Sequence, residues 1–112
     1  MNKKEIRAAF RRAVFERDGY RCVTCKSPGQ DRQGGDEHTR YHSTGVLLDA
    51  HHITSRKLMP NGGYVPENGI SVCDTCHAKA EADCLPGFTP EELYAKVGSS
   101  YQAAIEASQK LE

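Results

Sequence analysis

The chain has 112 residues, of which 38% are hydrophobic, and its length suits one domain with a small core and excludes a second large one. The longest aliphatic run, residues 46–48, is far shorter than the roughly 20 apolar residues of a membrane helix, and the first 20 residues have no signal-peptide centre, so we expect a cytoplasmic protein. The net charge of zero hides a split, because residues 1–57 hold twelve basic and seven acidic side chains whereas residues 58–112 hold three and eight.

The N-terminal residues 2–17 are predicted to form an amphipathic helix that Gly19 is placed to end. One face carries apolar side chains at helical spacing, and the other carries the basic residues Lys3, Lys4, Arg7, Arg11, Arg12 and Arg17. An ordinary solvated face would explain such a pattern. The almost uniform sign favours a surface that faces phosphates.

Four of the five cysteines form two identical C-x-x-C pairs, Cys22 with Cys25 and Cys73 with Cys76. Disulfides would need an oxidising compartment and would close only tiny loops within each pair. Four thiolates complete the tetrahedron that a structural Zn²⁺ accepts, so we predict a zinc site, with Cys84 as a small buried apolar residue. The 47 residues between the pairs indicate that a substantial structure is looped out between them.

The middle of the chain is predicted to hold a long loop followed by a hairpin. Residues 27–43 are polar and lack either hydrophobic period, which predicts a loop. Residues 45–53 have the character of a strand that ends on His51 and His52, whose side chains point to opposite faces. A turn at residues 60–63 and a returning strand at residues 70–72 complete the hairpin.

Helices are predicted for the rest of the chain. Asp74 or Thr75 can cap a helix that runs to about Asp83. Residues 89–92 form a capping box with Pro90 at the first helical position, so one or two helices run from there to about residue 111, interrupted near Gly98. We expect one domain made of a basic helix, a zinc-stapled core and a helical tail, at residues 1–18, 19–85 and 86–112.

The ordered set of motifs resembles the HNH (His-Asn-His) endonucleases, in the subset with a C-x-x-C…C-x-x-C zinc site. The stretches that carry the resemblance are Arg17–Cys25, Leu48–Ile53 and Glu67–His77. The resemblance covers about residues 10–84, and the ordered set that ends on C-x-x-C-H is specific although each motif alone is common. It implies an α+β fold with a small ββα-metal (His-Me finger) core, flanked by the N-terminal helix and the C-terminal helices.

The resemblance also implies roles for single residues. By position, His52 matches the general base and Asn68 the residue that orients the loop and the base, while His51 and His77 match the ligands of a catalytic divalent metal. Glu81 stands one helical turn beyond His77, where some members have a further ligand, and a carboxylate there could reach the same cation. The alternative is that Glu81 is a solvated helix residue.

The implied activity is hydrolysis of DNA phosphodiester bonds, as nicking or double-strand cleavage, with one catalytic Mg²⁺, Mn²⁺, Ni²⁺ or Zn²⁺ beside the structural Zn²⁺. DNA would be held through its phosphates by the basic arm, namely Arg7, Arg11, Arg12, Arg17 and Arg21. Two alternatives stay open at this point: a non-catalytic zinc-stabilised nucleic-acid-binding or interaction module, and a nuclease that acts on RNA. The target sequence and the setting, whether phage, restriction or mobile element, are not indicated by the residues.

Overall fold

The computed structural model describes residues 2–33, 45–82 and 85–111. The elements in chain order are α1 (Lys3–Arg17), β1 (Gly29–Asp31), β2 (Val46–His52), β3 (Gly69–Cys73), α2 (Asp74–Glu81), α3 (Pro90–Lys96) and α4 (Tyr101–Gln109). Three short 3-10 turns lie between β2 and β3, at Arg56–Leu58, Pro60–Gly63 and Pro66–Asn68. The architecture is a small α+β fold in which a hairpin leads directly into a helix, as the ββα prediction requires.

Helix α1 confirms the predicted N-terminal helix. Asn2 and Glu5 form a reciprocal capping box at its start, and Gly19 follows its end with a φ of +69°, a conformation that glycine adopts without strain. Phe10, Val14 and Phe15 are buried along its inner face. This apolar stripe packs α1 against the hairpin and so places the basic face outward.

The hairpin is confirmed, and it is the central feature of a three-stranded sheet with the order β1-β2-β3. Strands β2 and β3 are antiparallel, with Leu48 opposite Cys73 at one end and His52 opposite Gly69 at the other. The cysteine pair and the histidine pair are therefore attached to opposite ends of the same hairpin.

Strand β1 contradicts the prediction of a loop over residues 27–43. Gly29–Asp31 pairs in parallel with β2, at Val46 to Leu48. The segment has no β-branched residue, so its strand conformation comes from this pairing and not from local propensity. Gly29 is required there because a Cβ would lie 2.3 Å from the carbonyl oxygen of Val46.

Helix α1 approaches the hairpin closely at Gly69. A Cβ at this position would lie 2.5 Å from Val14 Cγ2 and 2.8 Å from Phe10 Cε1. The absence of a side chain thus lets the apolar face of α1 lie directly on β3, next to His52 on the paired strand.

Helix α2 begins where it was predicted, but its cap differs. Cys73 occupies the N-cap position, with no side-chain capping hydrogen bond, instead of Asp74 or Thr75. The helix starts earlier because β3 runs into it without a connecting residue, which makes one cysteine the last residue of the strand and the cap of the helix. The helix ends at Glu81, about two residues before the predicted end near Asp83, and the predicted burial of Cys84 lies outside the described residues.

The C-terminal helices confirm the predicted capping box, with Thr89 accepting from the backbone of Glu92, and the predicted break around Gly98. They are part of the core, since Leu93, Tyr94 and Ala104 are buried in the main apolar cluster. In the parts of the chain that the structure describes, no helix is long and apolar enough to cross a membrane.

Candidate functional site

The two C-x-x-C pairs meet at one point, as predicted. Cys22 and Cys25 lie in the turn after α1, whereas Cys73 and Cys76 lie at the start of α2. The turn is fixed to β3 because the Val23 amide donates to the carbonyl oxygen of Ser71 at 2.9 Å. All four Sγ atoms lie within 4.8 Å of one another, with Cys25 and Cys73 3.8 Å apart.

This arrangement fits a tetrahedral metal site. A Zn–S bond of about 2.3 Å places two tetrahedral sulfur ligands about 3.8 Å apart. Three of the four cysteines are buried and Cys25 is exposed. The four cysteines are thus positioned to bind a metal, and a closed all-thiolate set suits structural Zn²⁺.

His52, at the end of β2, lies between α1 and the loop that leads to β3. Its ring stacks on Phe10 with 4.5 Å between centroids, and Tyr64 meets it edge to face at 4.7 Å. Its Nε2 atom is buried and has no hydrogen-bond partner among the described residues. The aromatic contacts therefore hold the ring in this orientation.

The environment of His52 favours the neutral imidazole. Burial, together with the positive charge of Arg56 and the neighbouring His51, lowers the pKa of His52 to about 4. A neutral imidazole nitrogen accepts protons at neutral pH. An anionic phosphate close to the ring would raise this pKa again, because it favours the charged form.

His51 points to the other side of the strand, as predicted, towards α2. Its ring meets the ring of His77 edge to face, with 5.0 Å between centroids. His77 lies in the first turns of α2 with its Nδ1 atom 3.3 Å from Asp49 Oδ2 and its Nε2 atom 3.8 Å from Glu81 Oε1. The structure thus brings His51 and His77 together, and Glu81 lies next to His77.

The donor atoms of His51, His77 and Glu81 are less closely grouped than the four sulfur atoms of the cysteines. Within residues 2–33, 45–82 and 85–111, the cysteines are the one group of three or more such side chains with all donor atoms within 4.8 Å. The Asp49 carboxylate favours a proton on Nδ1 of His77, which leaves the Nε2 lone pair facing Glu81. One imidazole nitrogen and one carboxylate oxygen are therefore arranged as a pair, with His51 beside them.

Asn68 is fully buried at the end of the β2–β3 connection and binds backbone groups of the loop after His52. Its Oδ1 atom accepts from the Thr54 amide at 3.0 Å, and its Nδ2 atom donates to the carbonyl oxygens of Thr54 at 3.1 Å and Gly63 at 3.2 Å. Asn68 thus fixes the path of the chain two residues beyond His52 and acts on the loop through backbone atoms.

The five arginines predicted to bind nucleic acid have different surroundings. Arg7 lies over the Tyr64 ring at 5.9 Å, and Arg12 is exposed. Arg11 pairs with buried Asp31 at 3.3 Å. Arg17 binds Asp18 and the carbonyl oxygens of Pro66 and Gly69, and Arg21 donates to the carbonyl oxygen of Lys26. Arg17 therefore ties α1 to the start of β3, which its position in a basic run did not reveal.

Two further residues of the site were missed from the sequence. Arg56 follows His52 by four residues, and its guanidinium donates to the Tyr64 hydroxyl at 3.0 Å. Burial would raise the pKa of Tyr64, but hydrogen bonds and charge from Arg56 and Arg7 lower it below its usual value. A basic residue shortly after the histidine pair was the available signal for Arg56, whereas nothing in the sequence pointed to Tyr64.

Two depressions open beside the histidines. Both have His52, Arg56 and His77 in their walls. One extends to Arg7 and Asp49, and the other to His51 and Glu81. We call these two depressions, which adjoin at the shared wall residues His52 and His77, the histidine cleft.

The model of the HNH endonuclease family matches residues 22–83, which is more than half of the chain. The match includes both cysteine pairs, the histidine pair, Asn68 and the start of α2, in a chain whose hairpin and helix have the expected ββα order. The chain therefore belongs to the HNH endonuclease family, which confirms the resemblance. No curated protein and no solved structure matches it at a significant level.

Proposed function

We propose that this protein is a metal-dependent nuclease that hydrolyses phosphodiester bonds in DNA, with His52 as the general base. The observation that carries the proposal is the histidine cleft itself, where His52 from β2 and His77 from α2 line the same depressions together with Arg56. A base and a metal ligand that face one volume can act on the same phosphate.

His52 would take the proton from the attacking water. Its neutral form and its place in the wall of the cleft support this role, because a neutral imidazole beside a bound water can take a proton from it. The stack on Phe10 and the edge contact with Tyr64 restrict rotation of the ring and so keep its orientation in the wall of the cleft fixed.

His51 and His77 would hold the catalytic cation, with Glu81 as the third ligand. When bound, a divalent cation supplies charge stabilisation for the phosphate oxygens and for the leaving oxygen. Asp49 would orient His77 through Nδ1. Imidazole and carboxylate donors accept Mg²⁺, Mn²⁺, Ni²⁺ or Zn²⁺ without selecting one of them.

Arg7 and Arg56 would bind the phosphate backbone at the cleft, with Arg11 and Arg12 further along α1. Arg7 and Arg56 both stand at Tyr64 and line the depression that contains His52. Arg17 and Arg21 are assigned a smaller part, because their guanidinium groups already donate to carbonyl oxygens of the protein. Such contacts give affinity for any sequence.

The test is cleavage of supercoiled plasmid by the zinc-loaded protein in Mg²⁺, Mn²⁺ or Ni²⁺, beside His52→Ala and a control, Lys110→Ala, at the exposed end of α4. We expect cleavage by the wild type and by Lys110→Ala, and a loss of about 100-fold or more in His52→Ala, with zinc content and thermal midpoint retained. Full activity of His52→Ala would exclude it as the base. Cleavage of a structured RNA but not of the plasmid would exclude DNA as the substrate, and binding of DNA without any cleavage would indicate a non-catalytic module.

A further inference from the structure

Tyr94 reaches the loop of the histidine cleft from a helix outside the family match. Helix α3 begins at Pro90, beyond the matched residues 22–83. Its Tyr94 is 3% exposed, and the phenol oxygen lies 2.7 Å from Asn68 Oδ1 and 2.6 Å from Thr54 Oγ1. The C-terminal helices thus contact the same amide that holds the chain after His52.

The directions of these hydrogen bonds follow from the neighbours of Asn68. Its Nδ2 atom lies beside the carbonyl oxygens of Thr54 and Gly63, which can only accept, so the amide orientation is fixed and Oδ1 is an acceptor. Tyr94 therefore donates its one proton to Oδ1. The Thr54 hydroxyl must then donate to the Tyr94 oxygen.

The result is a connected set of hydrogen bonds among three side chains and the two backbone polar groups of Thr54. Asn68 Oδ1 accepts from both the Thr54 amide and the Tyr94 hydroxyl, and Nδ2 donates to the carbonyl oxygen of Thr54. Both backbone polar groups of Thr54 are thereby fixed relative to α3. Thr54 is two residues from His52, so this set holds the chain where it leaves the His52 strand.

We propose that Tyr94 is a positioning residue for His52, acting through Asn68 and Thr54, and that α3 is for this reason part of the catalytic unit. The inference rests on the proposed function of His52 as the base. Loss of the Tyr94 hydroxyl leaves Asn68 Oδ1 with one donor fewer in a buried setting, which lets the amide and the loop move. Small displacements of a base cost rate and leave ground-state binding of the substrate largely unchanged.

The experiment compares Tyr94→Phe with Tyr101→Phe, a matched control at a tyrosine that is 52% exposed on α4. Steady-state cleavage of an oligonucleotide duplex in Mn²⁺ gives kcat and KM, and zinc content and thermal melts report the fold. At a temperature below the thermal midpoint of the variant, we expect kcat of Tyr94→Phe to fall about tenfold or more while KM stays within about twofold of wild type. Tyr101→Phe should change neither constant. An unchanged kcat, or a fall that only follows the unfolded fraction, overturns the inference.

A second measurement does not depend on cleavage. By NMR, the Thr54 amide of Tyr94→Phe should exchange roughly fivefold faster, and the ring signals of His52 should shift. Unchanged exchange and ring signals overturn the inference even if the protein cleaves DNA. If the wild type cleaves nothing, the proposed function fails, while the NMR comparison still decides whether Tyr94 positions the loop.

A second variant covers the case in which Tyr94→Phe does not fold. Thr54→Val removes the hydroxyl that donates to Tyr94 and keeps a β-branched side chain. We expect it to lower kcat in the same direction, by about threefold or more, at unchanged KM. A wild-type kcat in Thr54→Val would count against the hydrogen-bonded set as a positioning device.

Discussion

The two ends of the hairpin carry two different groups of side chains with metal-binding chemistry, the cysteines at one end and the proposed histidine ligands at the other. At the Cys73 end, four sulfur atoms lie within 4.8 Å of one another and three of the cysteines are buried. At the His52 end, the histidines are partly exposed along an open cleft, and their donor atoms converge only in pairs. A closed set of ligands suits a metal that stabilises the fold, whereas an open set leaves positions for substrate and water.

The largest expected effect is on the fold, from Cys73→Ser. Zinc binding to such a site contributes about 10–16 kcal/mol. A typical domain has a free energy of unfolding of about 5–15 kcal/mol, so loss of the zinc contribution should unfold the chain. We expect loss of the cooperative melt and of bound zinc, measured by circular dichroism and metal analysis. Cys84→Ser, at the cysteine outside the two pairs, should keep both. A native-like melt for Cys73→Ser would contradict a structural role of the cluster.

The next largest effect is expected at the histidine end of the hairpin, on cleavage and not on the fold. His77→Ala should lower cleavage by about 100-fold or more, because the proposed catalytic cation would lose a ligand. The structural zinc and the thermal midpoint should stay close to wild type. Lys79→Ala, exposed on the same helix, is the control. Unfolding of His77→Ala with loss of zinc would mean that the two ends of the hairpin are not separable.

Asp49→Asn should have a smaller effect, a reduced affinity for the proposed catalytic cation. The carboxylate lies 3.3 Å from His77 Nδ1, and loss of such outer partners lowers metal affinity by about 10-fold. Titration of the zinc-loaded protein with Ni²⁺ by calorimetry measures this. Asp74→Asn is the matched control, since Asp74 and Asp49 both pair with Arg32 but only Asp49 also contacts His77. Equal effects of both variants would assign the change to Arg32.

The smallest effect is expected for Arg56→Ala. It should raise KM a few-fold and reduce the slope of log affinity against log salt by about 1, because one phosphate contact is lost. Its neighbour Lys57 lines neither depression that contains His52, so Lys57→Ala should change less. A larger salt effect for Lys57→Ala would move the phosphate path away from the cleft.

The cysteine end could be predicted almost completely from the sequence. Two identical C-x-x-C pairs leave few chemical alternatives. The hairpin between them follows from the aliphatic and β-branched residues of 45–53 and 70–72 and a turn at residues 60–63. The capping box that starts α3 was also readable, because Thr89 and Glu92 satisfy each other locally. Local patterns of this kind carry their structural information within a few residues.

The histidine end could be predicted only in part. The sequence indicated His51, His52 and His77, but the residues that hold them come from distant segments. Tyr94 is 26 residues from Asn68, and nothing in its own helix signals that contact. Strand β1 was missed for the same reason, since Gly29–Asp31 becomes a strand only through pairing with β2.

The shared cysteine cluster also sets an order of events during synthesis. The first pair leaves the ribosome while the second has not been made, so it can at most bind zinc weakly with two thiolates. Only when Cys76 has emerged can the set be completed, and the hairpin between the pairs is then closed at its base. A growing chain that has released His51 and His52 but not Cys76 and His77 therefore lacks both the complete cysteine set and the assembled cleft.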